Sequence, residues 1–272
     1  MTMERLEVPV TGTTLAGDRW PGGGSPIVLL HAGVCDRRSW RGVGERLAGE
    51  GWDVVAYDRR GFGAVPPADR PFRHVDDLLA VIDAISPSAP VWLVGSSMGG
   101  GVALDAALAA PGRVAGLVLL APTISGDPDP DDATLIAETH GLAEAVDAAW
   151  TAGDLDACNR LEVRLWLDGP AEPEGRVSGP PRELALEMNR IVLANGESEL
   201  DGAGGIDAAS RLGEITVPAI VACGDLDVPS KLRRSAELAA SLPGSSYRAL
   251  PGRAHLPYLE APAEVAALVP SG

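Results

Sequence analysis

Short, almost uninterrupted apolar runs alternate with helix-like stretches through the first half of this chain, and few architectures accept that pattern. The runs are Pro26 to His31 (PIVLLH), Asp53 to Tyr57 (DVVAY), Val91 to Val94 (VWLV) and Gly116 to Leu120 (GLVLL), with Pro218 to Cys223 (PAIVAC) much later. A strand with one face in water alternates polar and apolar residues, so continuous runs predict strands covered on both faces. Parallel strands joined by crossover helices meet that requirement, and the fold class expected is α/β with a mostly parallel central sheet flanked by helices. Residues 3 to 20 predict an antiparallel edge hairpin, and Ser245 to Leu250 (SSYRAL) a last strand.

Between Ser125 and about Gly213 the alternation stops. Helix-like stretches such as DATLIAETHGLAEAVDAAW and PRELALEMNRIVLAN are separated by Gly/Pro loops, with no strand signal between them. The expected division is a core of residues 1–124 and 214–272 and a helical insertion over 125–213. At 272 residues the chain is long enough for one large domain carrying such an insertion.

The most informative junction follows VWLV: Gly95-Ser96-Ser97-Met98-Gly99-Gly100, then the helix-like GVALDAALAA. A sharp strand-to-helix turn strains its central residue and needs small residues two positions to either side, where strand and helix nearly collide. Ser97 is that central residue; Ser96 fails the glycine spacing. Ser97 is therefore the expected nucleophile, raised at the carboxyl edge of the sheet, with the positive end of a helix behind it.

A serine hydroxyl needs a positioned base, and histidine titrates in the useful range. Of the chain's four histidines, His31 ends a strand, His74 precedes a helix and His140 lies in the insertion. His255, in the loop GRAHLP after the last strand, is the expected base. The acid that orients it should follow PAIVAC, where Asp225 and Asp227 both stand in GDLDVP. Backbone N–H groups must hold the oxyanion: Met98, after the nucleophile, supplies one, and the loop His31-Ala32-Gly33-Val34 the other, from Gly33 or Val34.

The formal charge of −16, from 38 acidic and 22 basic residues, is spread along the chain and argues against nucleic acid or anionic lipid as a partner. Three separated cysteines give neither a disulfide framework nor metal spacing. The start MTMERLEVPVTGTT has charges and a threonine-rich turn where a secretory signal would need an apolar core, and no run approaches membrane-spanning length. A cytoplasmic protein with a small-molecule substrate, no metal and no cofactor is expected; oligomeric state is not readable.

Together LLHAG, AYDRRGFG (Tyr57 to Gly63), GSSMGG, CGDLD and GRAHLPYLEAP, in this order, resemble α/β-hydrolase-fold enzymes along nearly the whole length. The resemblance places the acid on Asp227 and the base on His255. It implies that the insertion is a lid, whose Trp150 and Trp166 either line a substrate pocket or, the weightier reading, pack the lid onto the core; Val34 is a further candidate substrate contact. Two departures are Ala32, where a glycine usually follows the histidine, and Ala64 after the RGFG turn. The implied activity is hydrolysis of a carboxylic ester or lactone through an acyl-enzyme. C–C bond hydrolases, thioesterases, perhydrolases and acyltransferases use the same constellation, and a binding protein that keeps the pocket without chemistry is the alternative of another class.

Overall fold

Every predicted apolar run forms a strand of one eight-stranded sheet. The computed structural model describes residues 2–127, 132–196 and 206–270. In chain order the strands are β1 (Glu4–Val10), β2 (Thr13–Trp20), β3 (Pro26–Leu30), β4 (Asp53–Tyr57), β5 (Val91–Ser96), β6 (Val114–Leu120), β7 (Ala219–Gly224) and β8 (Ser246–Leu250). Their spatial order is β1-β2-β4-β3-β5-β6-β7-β8. The hairpin β1–β2 and the β2–β4 pair are antiparallel, and all other pairs are parallel.

Alternate residues of each parallel strand enter different cores, which is why the runs read as continuously apolar. Ile27, Leu29, Val54, Ala56, Val94 and Val118 face one side, with Val43 and Leu47 of α1 (Arg41–Gly49) in the same cluster. Val28, Leu30, Val55, Tyr57, Leu93 and Leu117 face the other, with Leu78 and Ile82 of α2 (His74–Ile85) and Val102 and Leu104 of α3 (Met98–Ala109). Each valine, leucine or isoleucine among these, when fully buried, contributes about 1.5–3 kcal/mol to the fold.

The segment between β6 and β7 is helical throughout its regular part: α4 (Asp132–Glu138), α5 (Leu142–Thr151), α6 (Leu155–Val163) and α7 (Pro180–Asn195). Residues 128–131 and 197–205 of the expected insertion lie outside the described residues. The sequence reads residues 132–150 as one helix-like stretch, but it breaks at His140 and Gly141, both at positive φ (52° and 77°). Left-handed backbone ends an α-helix, and glycine makes the second of these positions inexpensive. After α6 the chain continues through a π-helical turn, Arg164–Asp168, before the loop that leads to α7. The two ends of the segment between β6 and β7 approach each other, since the Ala209 N–H donates to the Ser125 carbonyl (3.0 Å). Helices α8 (Pro229–Ser241), α9 (Pro257–Glu260) and α10 (Pro262–Ala266) complete the fold.

Candidate active site

Ser97 sits between β5 and α3 with φ 50° and ψ −118°. A non-glycine residue in this region costs about 1–3 kcal/mol, so its surroundings must hold it there. Four backbone bonds do: the Ser97 N–H donates to the Leu120 carbonyl of β6 (2.9 Å), while the Ser97 carbonyl accepts from the N–H groups of Gly100 (2.9 Å), Gly101 (3.1 Å) and Thr123 (3.0 Å). The flanking glycines are steric necessities. A Cβ on Gly95 would lie 2.5 Å from the Gly99 carbonyl oxygen and 2.7 Å from Gly100 Cα. One on Gly99 would lie 2.6 Å from the Leu30 carbonyl carbon and 2.7 Å from the His31 oxygen.

β7 and β8 end beside the second half of the site. His255 Nδ1 lies 2.7 Å from Asp227 Oδ2, both residues nearly sealed from solvent at 3% and 4% exposed. A carboxylate accepts, so Nδ1–H donates, and in the neutral ring the lone pair is then on Nε2. The Asp227 Oδ1 accepts from its neighbour's N–H at Val228 (2.7 Å). Asp225 lies elsewhere: its Oδ1 accepts from Gly252 N–H (2.6 Å), joining the turn after β7 to the loop after β8. The Leu226 N–H donates to the Arg253 carbonyl (2.9 Å) across the same seam. Gly224 permits the approach, for a Cβ there would lie 2.5 Å from the Ala254 carbonyl oxygen.

The histidine loop is also gripped from the segment between β6 and β7. His255 N–H donates to the Trp166 carbonyl (3.1 Å), and the Trp166 ring lies against the imidazole with centroids 4.7 Å apart. Arg176 donates to the carbonyls of Leu167 (2.7 Å), Asp168 (2.6 Å) and Gly252 (3.2 Å), and pairs with Glu260 (2.7 Å). Glu260 in turn accepts from Ala254 N–H (3.0 Å), the residue before the histidine. Buried Asp168 gathers Gly175 N–H (2.9 Å), Val177 N–H (2.9 Å) and Arg182 (2.6 Å). Sequence reading missed Arg176, Asp168 and Glu260, because nothing local marks a loop arginine as the partner of a glutamate 84 positions away.

Around the oxyanion loop, the N–H groups of Gly33, Val34 and Met98 have no protein acceptor among the described residues. The loop is pinned from beneath by Arg59, whose Nη2 donates to the carbonyls of His31 (3.0 Å) and Ala32 (3.2 Å) and whose N–H donates to His31 Nε2 (3.2 Å). His31 Nδ1–H then donates to the Ala32 carbonyl (2.8 Å). Burial, followed by Arg59, holds the His31 pKa well below the ordinary histidine value, so the ring is a neutral strut. Ala32 takes part only through its backbone, so the departure from the usual glycine leaves this bracing intact.

A cavity of about 540 Å³ opens at Gly33, Val34 and Met98. Phe62, Phe72 and His74 line it from the core, and Trp150, Cys158, Glu162 and Asn189 from α5, α6 and α7. Of the residues expected to contact substrate, Val34 and Trp150 line this cavity, whereas Trp166 lies against His255 instead. Cys35, Cys158 and Cys223 are buried free thiols. Among the described residues, no helix is long and apolar enough to cross a membrane, and no His/Cys/Asp/Glu cluster could hold a metal ion.

A mostly parallel sheet with a strained serine after its central strand, and an acid–histidine pair beyond two later ones, defines the α/β-hydrolase fold class. The chain belongs to the alpha/beta hydrolase family, whose model matches residues 27–268. It is 29% identical over 246 residues to the RutD protein of Caulobacter segnis, named as an inferred carbamate hydrolase, covering 84% of each chain. It is 26% identical to the pimeloyl-[acyl-carrier protein] methyl ester esterase of Aliivibrio salmonicida, covering 88% of each chain. In fold it resembles a thermophilic esterase from Thermogutta terrifontis, with a TM-score of 0.76 at 24% identity, covering 97% of this chain and 96% of that one.

Proposed function

We propose that this hydrolase cleaves a carboxylic ester or lactone of a small molecule through an acyl-enzyme on Ser97. The observation that carries the reading is the buried His255–Asp227 pair, whose 2.7 Å bond leaves Nε2 as a base on the sheet edge where Ser97 stands. Ser97 Oγ attacks the carbonyl carbon as His255 Nε2 takes its proton. The N–H groups of Met98 and of Gly33 or Val34 receive the tetrahedral oxyanion. The intermediate collapses, the imidazolium gives its proton to the departing alkoxide, and the alcohol leaves. Water then attacks the acyl carbon with His255 as base, and the acid departs as Ser97 recovers its proton. Asp227 holds the tautomer and stabilises the imidazolium at both stages.

In this reading the helical insertion, residues 125–213, acts as the lid that shapes what reaches Ser97. Wild-type protein should release a burst of p-nitrophenol from p-nitrophenyl acetate and carry an acetyl group on the peptide containing Ser97. Ser97→Ala should lower turnover by at least about 10³-fold. Equal inactivity of wild type and variant across an ester, lactone and thioester panel would remove the enzymatic reading and leave a binding protein.

A further inference from the structure

The His255 side chain is only 3% exposed, yet the proposed reaction turns its ring into a cation at two stages of each cycle. A cation formed away from water has to be stabilised by fixed neighbours, because the hydration it would otherwise have is missing. Asp227 meets the ring at Nδ1 (2.7 Å). The indole of Trp166 lies against the ring itself, with centroids 4.7 Å apart and planes tilted by 44°. Rings meeting edge to edge hold their centroids farther apart, so the imidazole overlaps the indole π cloud. A cation within about 6 Å of an aromatic centroid is attracted to that cloud, most strongly by indole and more so where water is excluded. An aliphatic side chain would fill the same space without that attraction.

Trp166 is fixed to this position from two sides. Its carbonyl accepts from His255 N–H (3.1 Å), so one residue holds the loop backbone and covers the ring the loop carries. Its side chain packs on the cluster formed by Leu142, Leu165 and Val228, the last being the residue after Asp227. The other charges beside the loop are already matched. Arg176 pairs with Glu260 (2.7 Å), Arg253 with Glu264 (2.6 Å) and Arg182 with Asp168 (2.6 Å), and Asp225 accepts from Gly252 N–H (2.6 Å). Cys223, with Sγ 3.6 Å from Asp227 Oδ2, stays a neutral thiol because burial and then Asp227 push its pKa up. Lys231 of α8 is within electrostatic reach of that thiol, and Tyr247 of β8 is a phenol whose pKa burial raises.

We propose, resting on the reading of Ser97 as nucleophile and His255 as its base, that Trp166 is a positioning residue for the chemical step. Its π cloud stabilises the imidazolium formed when His255 takes the serine proton, and again when His255 takes the proton of the attacking water. The segment between β6 and β7 then contributes to the reaction as well as to the walls of the pocket.

NMR of the histidine ring protons tests this without turnover, with His255→Gln assigning His255 among the four histidines. Trp166→Leu should lower the titration midpoint of His255 by about one pH unit, and Trp166→Phe by less, because a benzene ring keeps part of the attraction. The acid limb of the kcat/KM profile should move to lower pH with it, and the plateau should fall by up to about tenfold. An indole that served only to keep water out would give the opposite sign, since leucine would admit water to the imidazolium and raise the midpoint. Biosynthetic replacement of tryptophan by 5-fluorotryptophan keeps the shape and withdraws charge from the indole. It should lower the midpoint in wild type and leave it unmoved in Trp166→Phe. A midpoint that stays or rises in Trp166→Leu, or falls as far in Trp166→Phe, overturns the proposal. So does a wild type that ignores fluorination, a result that decides the matter even if Trp166→Leu does not fold. Absence of p-nitrophenyl acetate turnover in wild type, by contrast, counts against the esterase reading and leaves the titration standing.

Discussion

The turn that carries Ser97 and the loop that carries His255 are held by opposite means. The turn is kept in a strained conformation by backbone bonds and by glycines whose replacement would drive a Cβ into neighbouring backbone. Its determinants lie within a few residues of Ser97 and on the adjacent strands. The loop is held mainly by side chains from far along the chain: Arg176 and Glu260 grip its backbone, and Trp166 supplies both a carbonyl and a ring. Shape fixes one half of the site, and charge with long-range contact fixes the other.

The two aspartates after β7 give the largest expected contrast. Asp227→Asn should reduce kcat by about 10⁴-fold, because the wrong imidazole tautomer would face Ser97, while Asp225→Asn should change it far less. Steady-state kinetics of the two variants decide it, and a greater loss at Asp225 would move the acid. Gly99→Ala tests the steric half. Its Cβ meets backbone, and equilibrium unfolding in urea should register a loss of at least about 3 kcal/mol or no soluble protein. Gly33→Ala, whose nearest neighbour would be Met98 Cε at 3.5 Å, should stay within about 0.5 kcal/mol of wild type.

Arg176→Met tests the charged half. It strands the carboxylate of Glu260, whose side chain is only 4% exposed, and should cost about 3 kcal/mol in the same experiment. Turnover should fall with unchanged burst stoichiometry as the His255 loop loosens. If activity and stability both stayed at wild-type values, the contrast between the two halves would collapse.

A further effect, on stability alone, concerns acid. His31 and His74, near the Ser97 side, are held neutral, with folded pKa values depressed below the roughly 6.5 of an unfolded histidine. Below that value the unfolded chain binds more protons than the folded one. Their contribution to stability is therefore complete above about pH 6.5 and is lost as pH falls toward about 3 for His74. Urea midpoints measured at pH 7, 6 and 5 should decline, and His74→Gln should make that decline shallower by up to about 1.4 kcal/mol per pH unit.

The same division explains how much could be read from the sequence. Strands such as β4, expected at Asp53–Tyr57 and found there, announce themselves because burial on two faces makes every residue apolar. The Ser97 turn was legible because its glycines are adjacent in sequence. The break at His140–Gly141 was not, since periodicity persists on both sides and only backbone conformation changes. Arg176, Asp168 and Glu260 left no trace either, for each acquires meaning from a partner that the fold brings near. Trp166 reads from the sequence only as a large aromatic residue, since its place against His255 depends on the π-helical turn that carries it.

The anchoring of the His255 loop to the stretch from Trp166 to Arg176 bears on how such a protein can be recombined. A chimera that exchanged everything between β6 and β7 would remove the brace beneath the proposed base together with the walls of the pocket. An exchange that stops before Arg164 would keep Trp166, Asp168, Arg176 and Arg182 with the parent sheet and replace α4 to α6 alone. Module boundaries for engineering new specificity thus follow hydrogen bonds rather than the edges of the helical segment.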